Sequence, residues 1–214
     1  MFQLIKKDSK TQARLGTLRT AHGTIESPFF MPVGTNASVK TLSSEDLLEL
    51  HSQIVLSNTY HLFLRPGLEV IQAAGGLHKF MNWKLPLLTD SGGYQVFSLA
   101  KLRKITDEGV WFQSHVDGSS QFFTPEKVIE IEQILGSDII MPLDECAPYP
   151  CERKEAETSV KRTTLWAERS QKHFLARKMR DKQHLFGIVQ GATYRDLRER
   201  SAKEITDIGF DGYA

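Results

Sequence analysis

A short apolar run, then a cluster of polar residues or glycine, then a helical stretch: this order recurs along the chain and narrows the available folds more than any other feature. The runs are Phe29 to Val33, Ile54 to Leu56, Leu85 to Leu88, Ile139 to Leu143 and Leu185 to Val189, with a sixth beginning at Phe210. Continuous apolar runs of this length suit strands buried on both faces, as in parallel sheets. Thr124 ahead of Pro125 and Glu126 reads as an N-cap, a proline at the first helical position and a favourable acid. Val128, Ile131 and Ile134 then give that helix one apolar face. Ser43 or Ser44 opens another helix through Leu47, Leu48 and Leu50, and Tyr194 to Ile208 forms a third. Alternating strands and helices imply an α/β fold with right-handed crossovers.

Two segments break this rhythm. Residues 13 to 28 alternate around Thr20-Ala21-His22-Gly23 and predict an N-terminal β-hairpin. Val110 to Phe123 alternates as well, and Asp117-Gly118 at its centre predicts a second hairpin with a two-residue turn, inserted between the third strand and its helix. No repeat, low-complexity tract or linker interrupts the chain, so residues 1–214 are expected to form a single domain. A (β/α)8 barrel needs eight units and about 250 residues. Five strands with their helices and the start of a sixth are present when the sequence reaches Ala214. An open six-stranded sheet would be complete at this length, whereas a barrel would be cut off.

Composition removes several function classes. Across 214 residues, 27 Lys/Arg against 26 Asp/Glu give a net charge of +1, so no strong global field favours nucleic acid or membrane. The 40% apolar and 25% charged content is that of a globular protein with a sizeable core. No apolar run approaches the roughly 18 residues that span a bilayer, and the first residues lack a secretory pattern. Two cysteines, Cys146 and Cys151, make no disulfide framework. A reduced, cytoplasmic enzyme is the expected class.

In parallel α/β folds, ligands bind at the carboxyl ends of the strands. The second run leads into Asn58-Thr59-Tyr60-His61, and the third into Thr89-Asp90-Ser91-Gly92-Gly93-Tyr94-Gln95. The fourth ends in Asp144-Glu145-Cys146, and the fifth in Gln190-Gly191. Two carboxylates, an amide and an aromatic ring on one rim predict a pocket for a flat, hydrogen-bonding ligand and some acid/base chemistry. Gly92 and Gly93 would let a ligand approach the backbone closely. Helix capping is the structural alternative for Asp90 and Asp144.

At these residues the sequence resembles the tRNA-guanine transglycosylases (queuine tRNA-ribosyltransferases), the bacterial branch in particular. The similar segments include Ala21-His22-Gly23-Thr24-Ile25-Glu26, Phe30-Met31-Pro32-Val33-Gly34-Thr35, Ser57-Asn58-Thr59-Tyr60-His61-Leu62 and Gly75-Gly76-Leu77-His78-Lys79-Phe80-Met81-Asn82-Trp83. They continue through Leu88-Thr89-Asp90-Ser91-Gly92-Gly93-Tyr94-Gln95-Val96, Ser114-His115-Val116-Asp117-Gly118, Leu135-Gly136-Ser137-Asp138-Ile139-Ile140-Met141, Asp144-Glu145-Cys146 and Phe186-Gly187-Ile188-Val189-Gln190-Gly191. They cover essentially the whole chain in order.

The resemblance implies a (β/α)8 TIM barrel, here truncated at about the sixth strand. It also implies exchange of guanine at the anticodon wobble position of tRNA for a 7-deazaguanine, through a ribosyl-enzyme intermediate with oxocarbenium-like transition states. Asp90 would be the general acid/base. Ser91, Gly92 and Gly93 belong to the same base-binding motif, and Tyr94 would stack on the base. Asp144 would accept from the guanine N1–H and amino group, and Gln190 would face the carbonyl. Cys146 matches a pocket wall without a nucleophilic role. The family's nucleophilic aspartate, much of its basic tRNA surface and its Cys-x-Cys-x-x-Cys plus His zinc site match nothing up to residue 214. Zinc is therefore expected only in full-length members, and Asp107, Asp117 and Asp138 are not substitutes for the nucleophile. Uncovered edge strands imply a homo-oligomer or a self-associating fragment.

The remaining signals are weaker. Cys146 and Cys151 do not make a metal pair, since zinc asks for about four ligands, and no metal site is expected in this chain. His115 and Asp117 are assigned to a hairpin turn, while His61 is either pocket-shaping or packed. Arg153 to Lys182 holds ten Lys/Arg against four Asp/Glu, a local +6 that leaves −5 elsewhere. A solvated helix face is the favoured account, with Arg177-Lys178-Met179-Arg180 the first candidates for phosphate contact. Two rivals to base exchange stay open: a barrel fragment that binds a deazaguanine or assists a partner, and a nucleoside hydrolase using Asp90 and water.

Overall fold

The computed structural model describes residues 2–99, 102–178 and 181–214. The chain opens with a three-stranded antiparallel sheet, β1 (Phe2–Lys7), β2 (Arg14–Thr20) and β3 (Gly23–Ser27). The expected hairpin is its β2–β3 pair, turning through Ala21-His22 between the partners Thr20 and Gly23. Next come α1 (Ser44–Glu49), β4 (Val55–Asn58), α2 (Thr59–Leu64), α3 (Leu68–Ala74), α4 (Leu77–Met81), β5 (Leu87–Asp90) and α5 (Gly93–Leu99). A second antiparallel sheet, β6 (Arg103–Thr106), β7 (Gly109–Gln113) and β8 (Ser120–Phe123), precedes α6 (Pro125–Leu135). The chain continues through β9 (Ile139–Ile140), α7 (Arg153–Ala176), β10 (His184–Gly187), α8 (Arg195–Ile208) and β11 (Gly212–Tyr213).

The parallel sheet runs in the order β11-β10-β9-β5-β4, and Val33 adds an isolated parallel bridge to Leu56. This is a mixed α/β fold with a parallel sheet, and among the described residues the sheet is open rather than closed into a barrel. The run Phe29 to Val33 forms no strand. Pro28 and Pro32 lack the N–H a ladder needs, so only the Pro32 carbonyl and the Gly34 N–H reach Leu56, at 3.0 and 2.6 Å. Leu85 to Leu88 shortens for the same reason, beginning its pairing after Pro86.

The inserted hairpin also differs from expectation. Gln113 pairs with Ser120, leaving a six-residue loop, 114–119, in place of a two-residue turn. Asp117 accepts from the N–H and hydroxyl of Ser119, at 3.1 and 2.8 Å, and Gly118 takes φ +74°. A side-chain turn therefore closes the loop where a tight backbone turn was expected.

The expected helix starts hold. Ser43 caps α1 in a reciprocal box with Asp46, and the Thr124 hydroxyl accepts from the Lys127 N–H. The basic segment from Arg153 becomes the longest helix, whose buried Trp166 donates to the Asp107 carbonyl at 2.8 Å. Much of its charge is spent within the fold. Arg153 pairs with Asp196, Arg162 with Glu145 and Asp107, Arg169 with Glu126, and Arg177 with Glu130. Of the candidates for phosphate contact, Arg177 is paired with Glu130, and Met179 and Arg180 lie outside the described residues. No helix among the described residues is long and apolar enough to cross a membrane.

The two ends of the parallel strands differ in chemistry. At the amino end, buried Asp138 accepts backbone N–H groups from His22 and Leu87, both at 2.9 Å, and faces the His22 and His78 imidazoles. The carboxyl end gathers the residues singled out from the sequence.

Candidate active site

Strand β5 ends at Asp90, whose register partner on β4 is Asn58. The Asn58 side-chain amide donates to Asp90 Oδ2 at 2.5 Å, while Asn58 Oδ1 accepts from the His61 N–H and caps α2. The N–H groups of Thr59 and Gly92 donate to Asp90 Oδ1 at 3.2 and 3.1 Å, and the Gln95 amide reaches Oδ2 at 3.4 Å. Burial nevertheless pushes the Asp90 carboxyl up to about 6. The bonds from Thr59, Gly92 and Asn58 oppose that rise, and the nearby charge of Asp144 adds to it.

Asp144 lies beyond β9 and is buried. Ser91 Oγ donates to its Oδ1 at 3.0 Å and Gln190 Nε2 to its Oδ2 at 2.7 Å. Ser91 Oγ in turn accepts from the Gly93 N–H at 3.1 Å, and the Gln190 N–H is anchored on Ser201 Oγ at 3.0 Å. Burial raises this carboxyl as well, against the bonds from Gln190 and Ser91.

The two glycines have separate reasons. Gly92 sits at φ +76°, and a Cβ there would fall 2.9 Å from Tyr60. A Cβ on Gly93 would fall 2.6 Å from Asp144 Oδ1. One glycine makes the turn, and the other admits the second carboxylate.

Where Tyr94 follows Gly93, and Glu145 and Cys146 follow Asp144, a pocket of about 450 Å³ is lined by Tyr94, Phe97, Arg103, Glu145, Cys146 and Tyr149, among others. Tyr94 and Tyr149 are 62% and 83% exposed there, with no stacked ring among the described residues. The roomier groove between α7 and α8 is lined by none of the residues of this rim. Burial pushes the Cys146 thiol up, which suits a pocket wall and not a nucleophile.

The fold thus gathers the residues expected to act on or bind the base, Asp90, Ser91, Gly92, Gly93, Tyr94, Asp144 and Gln190, on one rim. His61 and His115 go elsewhere. His115 Nδ1 lies 2.8 Å from the Tyr60 hydroxyl, and His61 packs edge-on against both rings.

Sequence reasoning missed three residues. Asn58 was read as part of a polar strand end and not as the partner of Asp90. Tyr149 was not singled out. Glu132 on α6 is fully buried beneath the rim, its Oε1 accepting from the Met141 N–H at 3.2 Å and Thr89 Oγ1 at 3.4 Å. Burial pushes its carboxyl well above the usual carboxylate range. Its position four residues after Val128, on the apolar face of the helix, was the available signal.

Comparison with known proteins gives a consistent result. A family model described as queuine tRNA-ribosyltransferase matches residues 8–214. Proteins named queuine tRNA-ribosyltransferase are similar across the chain. Those of Desulforudis audaxviator and Thermoanaerobacter pseudethanolicus are 58% and 60% identical over 213 residues, covering 100% of this chain and 56% of each relative. That of Halalkalibacterium halodurans is 57% identical over 213 residues, covering 55% of the relative. The chain spans about half the length of the relatives it matches.

Proposed function

The chain belongs to the queuine tRNA-ribosyltransferase family, and from that premise we propose that its carboxyl-end rim is the base site of a tRNA base-exchange enzyme. In this reading the whole protein replaces guanine at the anticodon wobble position with a 7-deazaguanine. The observation that carries the reading is the carboxylate pair, Asp144 buried and Asp90 half-buried. Asp90, pushed up to about 6, and Asp144, held by Ser91 and Gln190, converge beside an aromatic-lined pocket.

A general base works best when its pKa lies near the operating pH. At neutral pH Asp90 is mostly ionised and able to take the ring N–H proton of an incoming base, and its protonated form returns that proton in the reverse direction. Asp144 now accepts two donors, Ser91 Oγ and Gln190 Nε2. The N1–H and amino group of guanine supply an equivalent pair. Their arrival frees the Gln190 amide to turn and donate to the base carbonyl. A base without those donors can enter only by breaking the Gln190 bond to Asp144 with nothing to replace it, which is the basis of discrimination. Tyr94 and Tyr149 offer faces for stacking on a nucleotide swung out of its helix. No residue of this chain is assigned the attack on ribose.

The architecture belongs to the same proposal. Residues 1–214 form one domain, the first six positions of a (β/α)8 barrel. The partners are tRNA and a guanine or 7-deazaguanine, in a cytoplasmic homo-oligomer whose full-length members carry zinc on residues this chain lacks. A second reading, a module that binds the base without exchanging it, is supported by the Asp144–Gln190 pair, which is assembled within these 214 residues.

Guanine exchange into tRNA tests the first reading. Exchange by the whole wild-type protein that Asp90→Asn abolishes, with base binding retained, is the expected result. Exchange surviving that substitution overturns the role of Asp90. Base binding without exchange by the whole wild-type protein favours the second reading, and release of free base from a nucleoside points to a hydrolase.

A further inference from the structure

At the amino end of the parallel strands, opposite the base site, three side chains from distant parts of the chain meet: His22 in the β2–β3 turn, His78 in α4 and Asp138 just before β9. Their potential ligand atoms all lie within 4.8 Å of one another. His22 Nδ1 is 3.0 Å from Asp138 Oδ1, and His78 Nε2 is 3.2 Å from Oδ2. The two imidazole rings stack with centroids 3.6 Å apart.

The carboxylate is held as a metal ligand would be. Each oxygen accepts one backbone N–H, Oδ1 from His22 and Oδ2 from Leu87, both at 2.9 Å. Each oxygen then has its remaining lone-pair side facing one imidazole nitrogen. Backbone donors that fix a carboxylate in this way are the outer support that ligating carboxylates carry. His78 Nε2 is buried and lacks an aligned hydrogen bond among the described residues, although Oδ2 is near. A nitrogen and an oxygen so close, without a proton aligned between them, are disposed like two ligands of one cation. Tetrahedral Zn–N and Zn–O bonds of about 2.0–2.2 Å place ligand atoms about 3.3 Å apart. Access is available from one side only: Asp138 is fully buried and His78 13% exposed, whereas His22 is 40% exposed on the turn.

We propose that His22, His78 and Asp138 form a site for a divalent transition metal of the zinc type, clipping the N-terminal sheet to the amino end of the parallel sheet. The donor set contains no cysteine and differs from the Cys-x-Cys-x-x-Cys plus His set that the family resemblance implies for longer members. Two neutral imidazoles and one carboxylate suit Zn²⁺ or Co²⁺ better than Mg²⁺ or Ca²⁺, which prefer all-oxygen shells. Water from the solvent side of His22 would complete the shell. The residues of the base site lie at the opposite end of the strands, so this site serves stability, as the amino-end face of such sheets generally does.

Cobalt reports this directly. The chelator-treated chain is titrated with Co²⁺ and followed by visible absorption, beside a His22→Ala/His78→Ala double variant. The expected result is one equivalent bound with the strong bands of a four- or five-coordinate ion, weakened by at least about 100-fold in the double variant, which loses two direct ligands. Zn²⁺ should also raise the melting temperature of the wild type and leave that of the variant unchanged. Should the double variant fail to fold, His22→Gln on the exposed turn gives the same comparison. Equal binding by variant and wild type, an absence of binding, or a thiolate charge-transfer band from Cys146 or Cys151 would overturn the proposal and leave a hydrogen-bonded pin.

Discussion

Asn58 and Asp90 face each other as register partners on neighbouring parallel strands, and the amide of one donates to the carboxylate of the other at 2.5 Å. The same Asn58 caps α2 through its Oδ1. One residue therefore ends a strand, starts a helix and holds the carboxylate proposed to move the proton. Asn58→Ala should raise the Asp90 carboxyl above its present value of about 6, because a donor to the charged form is lost. Loss of the cap should also cost about 1 kcal/mol of stability. Carbon-13 NMR of the Asp90 carboxyl across a pH series reads the first effect, and an unchanged titration would show the contact to be incidental.

Asp90 gives a second expectation, for stability against pH. Its folded value of about 6 lies above the roughly 3.9 of an unfolded aspartate, so the native state binds the proton more tightly. The contribution is fully present below pH 4 and is lost as pH rises through 6. Asp90→Asn removes this dependence. Relative to wild type, the variant should gain about 3 kcal/mol between pH 4 and pH 7. Urea unfolding at the two pH values measures the change, and parallel stability curves would contradict it.

How much of this was visible in the sequence follows from the range of each interaction. The rim was legible because parallel strands carry their polar residues at one end, and Asp90, Asp144 and Gln190 each follow an apolar run. The Asn58–Asp90 pairing was not, since it depends on the register of two strands that sequence alone does not align. Phe29 to Val33 was misread because apolar content was weighed without its prolines. His22, His78 and Asp138 carry no local ligand spacing and meet only through the packing of three elements.

Gly93 offers a steric test. A Cβ there would sit 2.6 Å from Asp144 Oδ1 and 2.7 Å from the Asp144 carbonyl oxygen, against atoms fixed in the core. Gly93→Ala should displace Asp144, cost about 1–3 kcal/mol by overpacking and weaken base binding. Wild-type stability together with wild-type binding would mean that α5 shifts freely.

Glu132 should behave as a neutral acid. Its carboxyl is pushed well above the usual range by full burial, and Oε1 accepts the Met141 N–H. Glu132→Gln keeps that acceptor and should change stability at pH 7 by less than about 1 kcal/mol. Glu132→Ala leaves the Met141 N–H unpaired beside a cavity and should cost about 2–4 kcal/mol. Thermal unfolding of the two variants decides, and equal losses would indicate that the charge itself is needed.

The most direct test of the base site is calorimetric titration of this chain with guanine and with adenine, in wild type and in Asp144→Ala. The account requires guanine to bind the wild type in preference to adenine, and Asp144→Ala to lose at least about tenfold in guanine affinity along with that preference. Equal binding of the two purines by the wild type, or guanine affinity unmoved by Asp144→Ala, would contradict it.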